Sequence, residues 1–223
     1  VRGSISGTVL DFTAPGSRPT IDSASTGLTL LGSNTHVAGL KVVCPAGAQD
    51  ARALLRASIR DPNPVIFCEH KFLYRRVKEN LPGEWDVAPI GQAAVRRAGT
   101  DVTLIGYGAS TWTCLEAAEQ LESDGISAEV IDLRTLVPLD WDAVETSVRK
   151  TSRAVIVHEA QLTGGFGGEV AAQISERAFA WLDAPVKRVA YPDRPVPYAR
   201  NLEKAMLPGA ERVVEAVREA LEF

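Results

Sequence analysis

Three histidines are the side chains of this chain best suited to proton transfer near neutral pH, since an unperturbed imidazole titrates at about 6.5. They are His36, His70 and His158. His158 ends an apolar run and precedes Glu159, so we expect it at the carboxyl end of a buried strand, where the sites of open α/β sheets gather. The commoner alternative is a hydrogen-bonded residue at a sheet edge. No serine or cysteine nucleophile in an evident strand-to-helix elbow accompanies it.

Two glycine-containing turns resemble phosphate-binding loops. Gly106-Tyr107-Gly108 follows an apolar run, but Thr111 stands where a dinucleotide fingerprint has its third glycine, and Asp132 comes later than that fingerprint's acidic residue. The run Thr163-Gly164-Gly165-Phe166-Gly167-Gly168-Glu169 precedes a helix, whose N-terminal amides attract anions. It lacks the lysine and hydroxyl residue of a P-loop, and its own Glu169 would occupy the first helical turn. Tight structural turns are favoured in both places, and a nicotinamide site is the weaker alternative for the first.

A third candidate is the segment Asp61-Pro62-Asn63-Pro64, which lies between a predicted helix and a predicted strand. Asx residues satisfy nearby backbone groups and proline restricts φ, so a turn is the default interpretation. The segment also offers oxygen ligands. A monovalent or hard divalent cation could be held by the Asp61 carboxylate, the Asn63 carbonyl and a carbonyl such as that of Ser58.

Composition excludes several functional classes. Apolar residues form 45% and charged residues 23% of the 223 residues, as in ordinary globular proteins. A formal net charge of −4 and scattered basic residues disfavour nucleic-acid and membrane-surface binding. No run of about 18 apolar residues occurs, and Val1-Arg2-Gly3-Ser4 lacks the layout of a secretory signal, so we expect a soluble, cytoplasmic protein.

The three cysteines, Cys44, Cys68 and Cys114, lie in apolar runs and are predicted to be buried free thiols in a reducing compartment.

The patterning divides the chain into four parts. Residues 1–36 are rich in Ser, Thr and Gly and are predicted to be a poorly specified arm with a short strand or two. Residues 37–75 are expected to contain a strand, a helix with Leu54, Leu55 and Ile59 at helical spacing, and a second buried strand parallel to the first. Residues 76–100, with Pro and Gly and no apolar stripe, are predicted to be a linker.

Residues 101–223 alternate apolar strands with amphipathic helices, which predicts an α/β fold, a three-layer αβα sandwich with a mostly parallel sheet. Strands are expected at 102–107, 128–133, 154–157 and 186–191. Ser110 or Thr111 is expected to cap the first helix and Gly125 to end it, while Asp140 is expected to cap the second helix. The closing helix should bury Val213, Val214, Val217 and Leu221.

A series of short motifs resembles the beta subunit of the E1 component of thiamine-diphosphate-dependent 2-oxoacid dehydrogenases, of pyruvate or branched-chain type. Their order and spacing match over about residues 37–223. The motifs are Gly39-Leu40-Lys41-Val42-Val43, Ile59-Arg60-Asp61-Pro62-Asn63-Pro64-Val65-Ile66-Phe67, Leu73-Tyr74-Arg75, Glu129-Val130-Ile131-Asp132-Leu133-Arg134-Thr135-Leu136, His158-Glu159-Ala160 and Thr163-Gly164-Gly165-Phe166.

The resemblance implies a transketolase-like fold, with the end of a pyrimidine-binding α/β domain at 37–75 and a transketolase C-terminal domain at 101–223. It implies an α2β2 heterotetramer of alpha and beta subunits that holds thiamine diphosphate and Mg²⁺, and docking to the E2 core near the closing helix and Phe223. The expected compartment is the cytoplasm, or the mitochondrial matrix in a eukaryote. The resemblance also implies a structural potassium ion at Ser58, Asp61 and Asn63, with Leu28 and Thr29 as further candidates.

The front of the chain departs from this family. No position matches the glutamate that contacts the pyrimidine ring of the cofactor, and Leu31-Gly32-Ser33-Asn34-Thr35 stands where a histidine-containing segment is expected. His36 is too close to Gly39 to be that histidine. We therefore assign no catalytic or cofactor-binding residue to this chain and expect it to be inactive alone. Its predicted function is the beta component of a 2-oxoacid dehydrogenase, and the alternative is a non-catalytic assembly module that keeps only the alpha-subunit and E2 contacts.

Overall fold

The structure is a computed structural model that describes residues 19–22, 27–30, 35–81 and 87–223, with side chains from residue 39 onward. At the front, β1 (Pro19–Asp22), β2 (Gly27–Leu30) and β3 (Thr35–Ala38) form an antiparallel three-stranded sheet in that order. The predicted arm thus contains two strands and the start of a third. The candidate His36 lies in β3, and its side chain is outside the described residues.

A strand-helix-strand unit follows, as predicted. It consists of β4 (Lys41–Val43), α1 (Ala48–Arg60) and β5 (Val65–Phe67), and the two strands pair in parallel, with Val43 opposite Phe67. The predicted helix is confirmed, and its apolar residues are only partly buried. Leu54 is fully buried, but Leu55 is 42% and Ile59 76% exposed, and Ile66 on β5 is 49% exposed. Among the described residues, nothing covers this side of the unit.

The C-terminal domain is built on a five-stranded sheet. Its strands are β6 (Ala94–Arg97), β7 (Val102–Gly106), β8 (Ala128–Asp132), β10 (Ala154–Gln161) and β11 (Lys187–Tyr191), in the spatial order β11-β10-β7-β8-β6. All pairs are parallel except β6 with β8. The mostly parallel sheet is therefore confirmed. The interpretation of residues 76–100 as linker missed β6, an edge strand whose residues are half-buried or exposed and so carry no apolar signal.

Helices cover both faces of this sheet. They are α2 (Ala109–Ser123), α3 (Trp141–Thr151), α4 (Phe166–Arg177), a short α5 (Arg200–Met206) that the sequence did not predict, and α6 (Ala210–Leu221). Because side chains alternate along a strand, Leu104 packs into one core with α2 and α6, and its neighbour Ile105 packs into another with α3 and α4. The predicted three-layer αβα sandwich is confirmed.

Local sequence signals set two of the helix ends that were predicted. Asp140 caps α3, accepting a hydrogen bond from the Ala143 N–H at 3.1 Å, and Gly125 ends α2 with φ of +77°, both as predicted. The cap predicted at Ser110 or Thr111 is wrong: α2 begins earlier, and Gly108 is its N-cap. Gly108 takes φ of +55°, a conformation that glycine adopts without strain, so the helix starts directly at the turn.

The two α/β units meet along a short strand, β9 (Thr135–Val137), which pairs antiparallel with β4 and completes a second three-stranded sheet, β5-β4-β9. The indole N–H of Trp112 on α2 donates to the Ala46 carbonyl at 2.7 Å across the same junction.

None of the helices in the described residues has the length and apolar character that a membrane-spanning helix needs.

Candidate functional site

The carboxyl ends of β4 and β5 open on a cavity of about 300 Å³. Residues 45–48, which lead into α1, form one wall, and Glu69, His70, Leu73 and Tyr74, which follow β5, form another. Parallel strands present their carboxyl ends at one edge, so this is the position where ligands of open α/β sheets bind. Apolar groups predominate in the lining of this cavity, together with a few polar side chains, which is the composition typical of small-molecule sites.

His70 lies at this cavity and joins it to the C-terminal domain. Its Nε2 lies 2.7 Å from Oε2 of Glu159, which follows the buried part of β10. The hydrogen bond to the Glu159 carboxylate raises the pKa of His70, although partial burial opposes the charged form. The Nδ1 of His70 is buried without a hydrogen-bond partner among the described residues. This imidazole can therefore hold a proton close to neutral pH beside the cavity.

His158 has a different environment from the one predicted for a proton-transfer residue. It is fully buried, and its ring stacks on Tyr107 with an interplanar angle of 10° and centroids 6.5 Å apart. Burial lowers the pKa of His158, so the imidazole is neutral. His158 and Glu159, neighbours in the sequence, point to opposite faces of β10. The hydrogen-bond partner of Glu159 is His70.

The glycine-rich run serves close packing around His158. A Cβ at Gly165 or Gly167 would overlap the imidazole ring, so only glycine lets the start of α4 lie against it. The turn is tied by Thr163, whose N–H and hydroxyl donate to the Asp193 carboxylate at 2.9 and 2.6 Å. These contacts agree with a tight structural turn, the favoured interpretation of the sequence.

The weaker nicotinamide alternative finds no support at Gly106. A Cβ at Gly106 would lie 3.0 Å from the backbone of Ser110 and Thr111, so this glycine permits the close approach of α2. Asp132, which would have to hold a ribose hydroxyl in a dinucleotide site, is fully buried and accepts a hydrogen bond from Arg96 Nη2 at 2.6 Å. Its oxygens are not available to a ligand.

The residues predicted to hold potassium lie together in one turn. The Asp61 N–H donates to the Ser58 carbonyl at 3.3 Å, and the Asn63 N–H donates to Asp61 Oδ1 at 2.9 Å. The other carboxylate oxygen of Asp61 is paired with the Lys41 ammonium. The carbonyl of Ser58 and the side-chain oxygen of Asn63 are oxygens of the type that binds hard cations, whereas the Asp61 carboxylate is already paired with Lys41.

A charged network that the sequence did not predict joins the two units. Arg96 on β6 pairs with both Asp132 and Asp50, and Arg134 Nη1 lies 3.1 Å from Asp50 Oδ1. Burial of Asp132 raises its pKa, while the Arg96 guanidinium lowers it. Asp50 lies in the first turn of α1, where a carboxylate is common, and arginine is a common surface residue type. No periodic signal in the sequence could have brought these four residues together.

Two family models match the chain. The model for the C-terminal domain of transketolase matches residues 91–213, and the model for the pyrimidine-binding domain of transketolase matches residues 23–77. The first begins shortly before β6 and the second ends after the turn that follows β5. Their positions correspond to the two α/β units that meet at β9.

Curated relatives and solved structures agree with this match. The beta 2 subunit of mitochondrial 2-oxoisovalerate dehydrogenase of Arabidopsis thaliana is 47% identical over 84% of the chain, and 52% of that relative is covered. The beta subunit of the pyruvate dehydrogenase E1 component of Bacillus subtilis is 48% identical over 83% of the chain, with 57% of it covered.

A split-gene transketolase, described as an inactive beta4 tetramer, superposes with a TM-score of 0.66 and 29% identity, covering 83% of this chain and 58% of that one. A transketolase mutant of Pichia stipitis, at 16% identity and a TM-score of 0.53, covers 83% of this chain and 26% of that one and supports the fold alone. The chain spans little more than half the length of the curated relatives described above. It belongs to the family of the transketolase C-terminal domain and is similar to the beta subunits of 2-oxoacid dehydrogenase E1 components.

Proposed function

We propose that this chain is the beta component, or a part of it, of an E1 2-oxoacid dehydrogenase, acting on pyruvate or a branched-chain 2-oxoacid together with an alpha subunit. The observation that carries the proposal is the identity of 47–48% to two such beta subunits along more than four fifths of the chain. The junction formed by β9, Arg96 and Asp50 supports it, because it gives the partial pyrimidine-binding unit a defined position against the C-terminal domain.

Thiamine diphosphate, with Mg²⁺, would supply the carbanion-stabilising chemistry of decarboxylation in the assembled complex. No described residue of this chain is assigned to either group. The part proposed for this chain is to form one wall of the assembled site and to present surfaces to an alpha subunit and a second beta subunit. Ile59 and Ile66, exposed apolar residues on α1 and β5, are candidates for covered positions in that assembly.

The E2 core is the third proposed partner. Its docking is proposed at the end of α6, where Phe223 is 72% exposed and the Lys187 ammonium lies 5.9 Å from the centroid of its ring. Aromatic side chains are enriched in protein interfaces, and an exposed phenyl ring such as that of Phe223 is a suitable contact for a partner. Phe223→Ala should weaken E2 binding without changing assembly with the alpha subunit.

Co-expression with the E1 alpha subunit of the same organism tests the main proposal. We expect the two chains to co-purify and to decarboxylate pyruvate or 3-methyl-2-oxobutanoate only when thiamine diphosphate and Mg²⁺ are added. The readout is reduction of an artificial electron acceptor. Failure to co-purify would contradict the assignment to an E1 complex.

A non-catalytic assembly module is the second candidate. It is favoured by the lack, in this chain, of a match to the family's glutamate and histidine motifs, and by the exposed apolar side of α1. The same co-expression separates the candidates. A stoichiometric complex that does not turn over either substrate and does not bind thiamine diphosphate in calorimetry supports the assembly module, whereas turnover excludes it.

A potassium ion at Ser58, Asp61 and Asn63 is a separate proposal. A cation that binds only the folded state raises its stability by mass action, so the unfolding temperature should be higher in KCl than in tetramethylammonium chloride of equal ionic strength. Lys41→Met removes the competing ammonium and should enlarge this difference, while Asn63→Ala should abolish it. Equal unfolding temperatures in the two salts for both the wild type and Lys41→Met would contradict the site.

A further inference from the structure

Two cysteines lie side by side at the carboxyl edge of the β4–β5 pair. Val43 and Phe67 are register partners, so Cys44 and Cys68, the next residues of the two parallel strands, are neighbours. The Cys68 N–H donates to the Val43 carbonyl at 2.7 Å, which extends the ladder up to the two cysteines. Neighbouring strands are about 5 Å apart, within the Cα separation of about 4.4–6.8 Å that a disulfide spans.

The two side chains lie next to each other on one side of the strand pair. The proximity of Cys68 contributes to raising the pKa of Cys44, and both are free thiols in this structure. The strand register therefore brings the two thiols close together without a rearrangement of the backbone. The prediction that all three cysteines are buried is wrong for Cys68, which is exposed, while Cys44 and Cys114 are buried.

The two thiols differ in solvent exposure, so they would take different parts in an oxidation. Cys68 is open to solvent and can meet an oxidant, whereas Cys44 is buried. Burial, followed by the proximity of Cys68, raises the pKa of Cys44 to about 12, so Cys44 stays protonated and is the poorer first nucleophile. An exposed thiol beside a second thiol is the usual arrangement of a redox-sensitive pair.

We propose that Cys44 and Cys68 form a reversible disulfide when the protein meets a hydroperoxide. Cys68 attacks the peroxide and becomes a sulfenic acid, with release of water or an alcohol. The Cys44 sulfur then attacks the Cys68 sulfur, the S–O bond breaks, and a second oxygen leaves as water with the Cys44 proton. Two thiols are oxidised and one peroxide is reduced, and a dithiol reductant reverses the change.

The position gives the modification a structural consequence. Residues 45–48 and Glu69, His70 follow the two cysteines directly and line the cavity at this edge. A disulfide would tie the two walls of the cavity at their base. The inference does not depend on the proposed function, since it rests on the register and exposure of two side chains.

The test is oxidation of the full chain with hydrogen peroxide, followed by denaturing alkylation and mass analysis. Of the three thiols, we expect one, Cys114, to remain alkylatable, and the unalkylated chain to lose about 2 Da, the mass of two hydrogens. Peptide mapping should find the Cys44 and Cys68 peptides joined, and dithiothreitol should restore three thiols.

Two variants separate the steps. Cys68→Ser, at an exposed position, should keep both remaining thiols under the same treatment. Cys44→Ala should leave Cys68 as a sulfenic acid that dimedone traps; if this core variant does not fold, wild type and Cys68→Ser decide the question. Three alkylatable thiols after oxidation, a Cys68 disulfide between two copies, or irreversible oxidation of Cys68 with Cys44 still free would each overturn the proposal.

Discussion

The imidazole Nε2 of His70 lies 2.7 Å from Oε2 of Glu159, although the two residues are 89 positions apart. The pair joins the turn after β5 to the end of β10 and therefore links the two α/β units at the rim of the cavity. Both side chains are about one third exposed, so their interaction is partly screened by solvent.

This pair predicts a pH dependence. The hydrogen bond to Glu159 raises the folded-state pKa of His70, so its stabilisation is complete below the unfolded value of about 6.5 and is lost as pH rises through the folded pKa. Glu159→Gln should return the pKa of His70 toward its usual value and remove this pH-dependent stabilisation, which we expect to be below about 1 kcal/mol. NMR titration of His70 measures its pKa, and unfolding experiments from pH 6 to 9 measure the stabilisation. A His70 pKa unchanged in Glu159→Gln would contradict the pairing.

Removal of the Arg96 side chain should strongly destabilise the C-terminal domain. Asp132 is fully buried, and without Arg96 its carboxyl would either lie buried as an unpaired charge or have to take up a proton. Breaking such a pair costs about 3–5 kcal/mol, and we expect Arg96→Ala to lie in this range. Arg97→Ala is the matched control, because its partner Glu122 is 69% exposed, and it should cost at most about 1 kcal/mol. If urea unfolding showed a similar loss of unfolding free energy for the two variants, this role of Arg96 would be refuted.

Two adjacent glycines of α4 should respond oppositely to alanine. The Cβ of Gly167→Ala would overlap the buried His158 ring, and overpacking of this kind costs about 1–3 kcal/mol. The Cβ of Gly168→Ala would meet only the flexible Arg188 side chain at 3.3 Å, and alanine favours a helix over glycine by up to about 1 kcal/mol. Gly168→Ala should therefore be neutral or stabilising in thermal unfolding. A Gly167→Ala variant as stable as the wild type would contradict the packing described around His158.

The Asp140 carboxylate bridges α3 and the segment before β6. One oxygen accepts from the Ala143 N–H at 3.1 Å and the other from the Ala93 N–H at 2.9 Å. Loss of an N-cap lowers the free energy of unfolding by about 1–2 kcal/mol. Asp140→Ala should lie at the upper end of this range, because it also leaves the Ala93 N–H without its hydrogen-bond acceptor. Asp142→Ala, in the same helical turn, removes an exposed carboxylate near the helix N-terminus and should cost about 0.3–1 kcal/mol. Equal costs for the two variants would show that Asp140 acts only through its charge.

Elements with a complete local signal were predictable from the sequence. The strands β7 and β8 and the first five residues of β10 are buried on both faces and are rich in apolar residues, and Asp140 and Gly125 have the residue types that their positions require. The edge strand β6 and the short helix α5 were missed, because half-exposed elements carry no apolar periodicity. The burial of the apolar side of α1 could not be predicted for a related reason. A sequence pattern indicates which side of a helix is apolar, but not whether another part of the protein covers it.

By itself, the sequence determined the αβα sandwich, the parallel strand-helix-strand unit and the family, because local propensity and ordered motifs carry that information along the chain. Only the tertiary structure decided the contacts of the candidate residues. It separated His158 from Glu159 by the alternation of a strand, brought His70 to Glu159 and Arg96 to Asp50 and Asp132, and placed Cys44 beside Cys68. These pairs join positions far apart in sequence, and their partners are set by strand order and register, which local patterns do not encode.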